Sequence, residues 1–334
     1  MKVAITGATG FLGGAIAQQL VAAGHEIVPL SRRGGDVAGA AGVSADVTVP
    51  ASLPPAFEGC DVVVHSAGRV SHEAADAREM WDVHVQGTEN VLTAAREAGV
   101  RRVVHISSSG TIAVSNDAAF LGTEDSPDPL SFVKTWPYYR AKYISEEAAL
   151  SVDDLDVVVL NPSLLLGPGD ALDGGATRSV RMLLDDGVPV PPGGTVAFVD
   201  VRDVAEAVEL CLHRGTPGRR YLLNGANLSW QDYFARLARI AGKSEPLAAM
   251  PAKVTRRVLR WLPGFGKDSE LGLGGARLSR EELELASHHW SCSAERAEDE
   301  LGWSARDPQA TLEDTVFDIQ ERRQASALDW GTFS

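Results

Sequence analysis

Thr6-Gly7-Ala8-Thr9-Gly10-Phe11-Leu12-Gly13 follows the apolar run Val3-Ala4-Ile5 and leads into Ile16, Leu20 and Val21, spaced as on a helix that closes at Gly24. Strand, glycine turn and capped helix account for that order. The glycines stand as G-x-x-G-x-x-G. One lets the chain turn sharply, another lets an anion approach the backbone, and the last lets the helix pack on the strand, while the helix N-terminus offers free amides. The stretch reads as a cradle for a dinucleotide pyrophosphate, lined by Gly7, Thr9, Gly10, Phe11, Leu12 and Gly13.

Apolar runs recur at 27–30, 62–65, 103–106 and 157–160, with room between them for crossover helices such as 81–98, ending at Gly99, and 138–150. The alternation predicts an α/β fold: a Rossmann-type doubly wound parallel sheet covered on both faces, with a smaller C-terminal substrate-binding region. Residues 1–165, completed by about 196–224, form the nucleotide domain in this reading, and 166–195 with 225–323 form the substrate region. Helices are expected at 201–214 and at 230–241, the second preceded by the capping pair Ser229 and Asp232. The tail 324–334 reads as loosely ordered.

Composition excludes several classes. The 334 residues carry 45 acidic against 31 basic side chains, a net charge of −14, which opposes nonspecific binding to nucleic acid. Cys60, Cys211 and Cys292 lie far apart with no C-x-x-C, so neither a disulfide framework nor a zinc site is expected, and a reducing cytoplasm fits. No apolar run has the length of a membrane span, and no signal peptide is evident.

The second strand ends in Ser31-Arg32-Arg33, where an acid would hold the ribose of NAD. A guanidinium pairs instead with a 2′-phosphate, so Arg32 favours NADP (NADPH) over NAD. Asp46, after the third strand, is expected near the adenine. Tyr138 and Lys142 are four residues apart, on one face of a helix, so the ammonium can approach the phenol. A phenol of pKa about 10 poised at neutrality needs a shift of roughly three units, worth about 4 kcal/mol. Ser107-Ser108-Ser109 follows the strand at 103–106 and offers hydroxyls at the sheet edge where ligands bind in such folds, without deciding which serine acts.

The motifs TGATGFLGG at 6–14, Asp46-Val47, HVQGTENVL at 84–92, ISSSG at 106–110, YYRAK at 138–142, LNPSLLLGPGD at 160–170 and FVDVRDVAEAV at 198–208 occur in this order. With them, nearly the whole chain resembles the extended short-chain dehydrogenase/reductase (NAD-dependent epimerase/dehydratase) superfamily, and within it the 3β-hydroxysteroid dehydrogenase and dihydroflavonol 4-reductase-like branch. The resemblance implies Tyr138 as acid/base, Lys142 as its partner and Ser108 as catalytic serine, with Ser109 as fallback. It sets Asn161, Pro162 and Ser163 beside the nicotinamide, places Val47, Ser66, Ala67 and Gly68 along the cofactor, and implies pairing of tyrosine helices if the chain is a homodimer rather than a monomer. His84 stands where the family has Asn, a departure read as a satisfied core histidine.

The expected activity is NADPH-dependent reduction of a ketone or aldehyde on a hydrophobic secondary-metabolite, steroid-like or lipid substrate. The alternatives are a nucleotide-sugar epimerase or dehydratase with tightly bound NAD, and a dinucleotide sensor without turnover. Phe120, Leu121, Leu130, Phe132, Val133 and Trp136 are expected to border the substrate cleft. Residues 250–267 carry Lys253, Arg256, Arg257, Arg260 and Lys267 with no acid, opposite Val254, Val258, Trp261, Leu262 and Phe265. Such a segment suits a lid, a weak membrane-surface contact or an ordinary solvated helix. His288-His289-Trp290 lacks partner ligands at a metal-binding spacing, and no metal is expected.

Overall fold

The computed structural model describes residues 1–71, 74–171, 177–188, 190–261, 271–273 and 276–331. Ten of its strands matter here: β1 (Lys2–Thr6), β2 (Glu26–Ser31), β3 (Val43–Ser44), β4 (Val62–His65), β5 (Arg102–Ile106), β6 (Asp156–Pro162), β7 (Leu164–Leu166), β8 (Thr195–Asp200), β9 (Arg220–Leu223) and β10 (Ala226–Ser229). Seven form one sheet in the order β9-β6-β5-β4-β1-β2-β3, every pairing parallel. Its order reverses between β1 and β4, and a ligand crevice opens at such a switch beyond the carboxyl ends of the strands.

Parallel strands are buried on both faces, which is why Val62, Val63 and Val64 show no exposure at all. Val3, Ile5, Val62 and Val64 face one core, shared with Ile16 and Leu20 of α1 (Phe11–Ala22). Ala4 and Val63 face the other, with Val91 of α2 (Gly87–Glu97) and Ala149 of α3 (Pro137–Leu150). Each fully buried aliphatic side chain contributes roughly 1.5–3 kcal/mol, and a one-residue slip would reverse every strand's faces.

The remaining helices used below are α4 (Arg178–Asp186), α5 (Val201–Cys211), α6 (Trp230–Ile240), α7 (Ala252–Trp261), α8 (Arg280–Ala286) and α9 (Pro308–Gly331). α5 completes the nucleotide domain by packing Val204 and Val208 into the α1 core, and β9 extends its sheet. Residues 196–200 do not belong to that sheet. As part of β8 they pair with β7 and β10 in a separate three-stranded sheet, whose Phe198 packs with Tyr233 and Phe234 of α6. At the expected cap of α6, Ser229 Oγ accepts the Asp232 amide at 3.0 Å. α9 runs through Gly331, and residues 332–334 lie outside the described residues.

Candidate active site

The cradle is built around close backbone approach. Gly7 has φ +71°, and a Cβ there would stand 2.7 Å from Ala67 Cα; one on Gly13 would stand 2.2 Å from the Gly7 carbonyl oxygen. α1 starts after Gly10 with no side-chain cap and no acid in its first turn, so its end amides face the cavity free of competing oxygens. This arrangement fits the pyrophosphate of a nicotinamide dinucleotide. Ser66, Ala67 and Gly68 after β4 line the same cavity, as do Asp46 and Val47. The Asp46 carboxylate is already turned on its own loop, accepting the Thr48 amide at 2.9 Å and the Thr48 hydroxyl at 2.8 Å. Arg32 is exposed on the cavity wall, with no ion pair to any carboxylate among the described residues.

Across the crevice, α3 presents Tyr138, Lys142 and Glu146 on one face, at successive turns. Tyr138 lies beside Ser108, and burial pushes its phenol up to about 12 against the lowering effect of that neighbouring hydroxyl. The expected depression by Lys142 is absent. The lysine donates from Nζ to the Ile106 carbonyl at 2.7 Å, and burial lowers it to about 8, with Glu146 opposing. A group at 8 is still mostly an ammonium at neutral pH.

Glu146 gathers the strand ends around this pair. Its Oε2 accepts Ser107 Oγ, Thr111 Oγ1 at 2.6 Å and Asn161 Nδ2 at 2.7 Å, while its Oε1 pairs with Arg220 at 3.0 Å. Ser107 is therefore committed to Glu146, and Ser109 is buried with its carbonyl receiving the Ile112 and Ala113 amides. Ser108 is the serine that meets the tyrosine. Asn161, expected at the nicotinamide, is instead fully buried behind the wall, donating to Glu146 and to the Ser108 carbonyl at 3.2 Å. Pro162 and Ser163 do line the cavity.

Beyond Tyr138 the same cavity, of about 1170 Å³, gains aromatic and aliphatic walls, with Asp170, Arg178, Ser179 and Glu282 as polar side chains among them. Tyr139 and Trp290 stack with centroids 5.0 Å apart, and Trp230 stacks on Phe234 at 5.6 Å. Leu285, Met182 and Val196 fill between them. Gly110 makes room for the first stack: a Cβ there would stand 2.1 Å from Tyr139 Cε1. This wall differs from the expected one. Val133 and Trp136 are buried in a cluster with Val114 and Leu285, Phe132 packs against them, and Leu121 and Leu130 point to solvent. The aromatic positions of 230, 234 and 290 gave no motif, since only the tertiary fold brings them to the cleft.

Residues 3–223 match the NAD dependent epimerase/dehydratase family. The chain belongs to that family. It is 31% identical over 265 residues to "Sterol demethylase protein B" of Methylococcus capsulatus, covering 77% of this chain and 80% of the relative. It is 28% identical over 331 residues to a "Putative dihydroflavonol 4-reductase" of Synechocystis, covering 94% and 92%. Its fold superposes on the crystal structure of gox2253 with a TM-score of 0.83 at 27% identity, covering 96% of this chain and 98% of the other. As a member of the epimerase/dehydratase family the chain is an NAD(P)-dependent oxidoreductase acting on CH-OH/C=O groups.

In this family member His84 sits in a π-helical turn, Trp81–Gln86, a feature that tends to mark functional positions. Its Nε2 lies 2.8 Å from the Arg69 carbonyl, and its ring meets Tyr138 edge-on at 5.6 Å. Burial holds it down to about 3, so it is a neutral, satisfied histidine that also forms cavity wall. Gly68 is glycine for its sake, because a Cβ there would stand 2.8 Å from His84 Cε1. His288 is spoken for too: its Nδ1 lies 2.7 Å from the Glu284 carbonyl.

No helix among the described residues is long and apolar enough to cross a membrane. Of the basic segment, 252–261 is helical as α7, Lys253 and Arg257 are exposed, and Arg256 donates to the Ser287 carbonyl at 2.6 Å. Leu262, Phe265 and Lys267 lie outside the described residues.

Proposed function

We propose that the chain reduces a ketone or aldehyde on a hydrophobic substrate with NADPH, using Ser108, Tyr138 and Lys142. The observation that carries this reading is the shared cavity: glycine cradle at one end, Ser108 beside Tyr138 in the middle, aromatic wall at the other. A sugar would call for many polar partners on that wall, whereas a flat apolar carbonyl compound fills it by area burial.

A phenol near pKa 12 is fully protonated at neutral pH, the state a proton donor needs. Ser108 binds the substrate oxygen and aims it at Tyr138. NADPH held by the glycine cradle would supply a hydride, two electrons and a hydrogen, to the carbonyl carbon. Tyr138 then passes its proton to the oxygen, forming the alcohol, while Lys142 holds the tyrosine helix against the Ile106 carbonyl. Arg32 supports NADPH over NADH, because a free guanidinium at the ribose end can pair with a 2′-phosphate.

Two relatives named as reductases, the Synechocystis protein and a cinnamoyl-CoA reductase of rice at 32% identity over 254 residues, support reduction over epimerisation. The experiment is NADPH consumption by the purified chain against apolar ketones and aldehydes and against nucleotide sugars. Turnover of the apolar set is expected. Retained NAD, indifference to NADPH and turnover of nucleotide sugars would establish the epimerase alternative instead.

A further inference from the structure

We propose that His25, Glu209 and His213 form a site for a divalent transition cation of the zinc type, at the end of α1 remote from the glycine cradle. One potential ligand atom from each of the three lies within 4.8 Å of the others. Glu209 and His213 stand four residues apart on the last turn of α5 and just beyond it, so their side chains emerge on one face. His25 comes from the other side, immediately after α1.

Its backbone is fixed there. The His25 amide donates to the Leu20 carbonyl at 2.9 Å, and Gly24 takes the left-handed turn, φ +82°, that allows this closure. α1 and α5 are themselves held together by Leu20, Val204 and Val208 in one core, so the ligands project from elements that do not slide. Ligand atoms around a tetrahedral zinc stand about 3.4 Å apart, which small side-chain rotations reach from the observed spacing.

The donor set selects the ion. Two imidazoles and one carboxylate suit zinc, cobalt or nickel, with water in the remaining position, and are too poor in oxygen for calcium or magnesium. The Met1 ammonium is a neighbour of the His25 imidazole. That ammonium lies 3.3 Å from Nδ1, which leaves Nε2 to face the ion. No sequence motif announced the site, because its two halves belong to separate crossover units and meet only where their helices pack.

A cation here clamps the exit of α1 to α5 without touching the reacting groups. It would raise thermal stability while leaving the chemistry alone. The test uses metal-stripped full-length protein titrated with Co²⁺, read by visible absorption, and with Zn²⁺, read by calorimetry. Binding of one ion per chain is expected, with a zinc-dependent rise in Tm. Glu209→Gln and His213→Ala, both at accessible positions, should each weaken binding at least about tenfold and abolish the Tm rise, while His289→Ala leaves both intact. Absence of a saturable cobalt band, or equal affinity in wild type and His213→Ala, would overturn the proposal.

Discussion

Lys142 gives its ammonium to the Ile106 carbonyl, 2.7 Å away at the end of the strand that carries Ser108. The lysine thus ties the tyrosine helix to the serine strand. It orients the site as a strut, engaged with the Ile106 carbonyl rather than with the phenol.

That arrangement makes Glu146 part of the acid–base behaviour. Its charge raises Lys142 against the effect of burial. Replacing Glu146 with Gln keeps the shape but removes the charge, so Lys142 should lose its proton at lower pH. The basic limb of the pH profile of kcat/KM for carbonyl reduction is expected to move toward acid; an unchanged limb would show that Lys142 does not control it.

Gly110→Ala tests the aromatic wall. The new methyl must displace the Tyr139 ring and disturb its stack on Trp290. Overpacking of this kind costs about 1–3 kcal/mol. If that cost falls on substrate binding, KM for the carbonyl substrate should rise by roughly five- to 150-fold, with NADPH affinity, measured by fluorescence titration, unchanged. Equal loss of both would place the stack outside the substrate end.

Acid should unfold the protein early. His65 and His84 are both held down to about 3, mainly by burial, and His105 is lowered in the same sense. Below the unfolded value of about 6.5, the unfolded chain takes up protons that the folded chain refuses. The stabilisation is complete above that pH and is lost as pH falls toward 3. Between pH 7 and 5 the loss is about 2 kcal/mol per histidine, readable as a drop in urea midpoint. His65→Asn should flatten that dependence, and a slope identical to wild type would contradict the assignment.

Much of this was legible in the sequence because local physics dictates it. The cradle needs glycines wherever a Cβ would strike backbone, as at Gly7 and Gly13, and buried parallel strands need runs such as Val62-Val63-Val64. What stayed hidden depends on long-range packing. Trp290 reaches the cleft only through the fold, Asn161 turns inward because Glu146 waits there, and the phenol of Tyr138 rises because burial outweighs the opposing effect of Ser108. β7 was missed because Leu164-Leu165-Leu166 is too short to stand out from the loop that follows it.

The proposed preference for NADPH rests on Arg32. Arg32→Ala should weaken NADPH far more than NADH, by roughly thirtyfold if a charge-assisted pair of about 2 kcal/mol is lost. Equal weakening of both, in dissociation constants measured at matched ionic strength, would remove the 2′-phosphate argument.

The most direct measurement is single-turnover NADPH oxidation by wild type and Tyr138→Phe with an apolar ketone identified from the substrate panel. A proton donor is worth about 10²–10⁴-fold, so the variant should lose at least a hundredfold in rate while binding NADPH as tightly as before. A variant that turns over at the wild-type rate would show that the phenol beside Ser108 is not the proton donor.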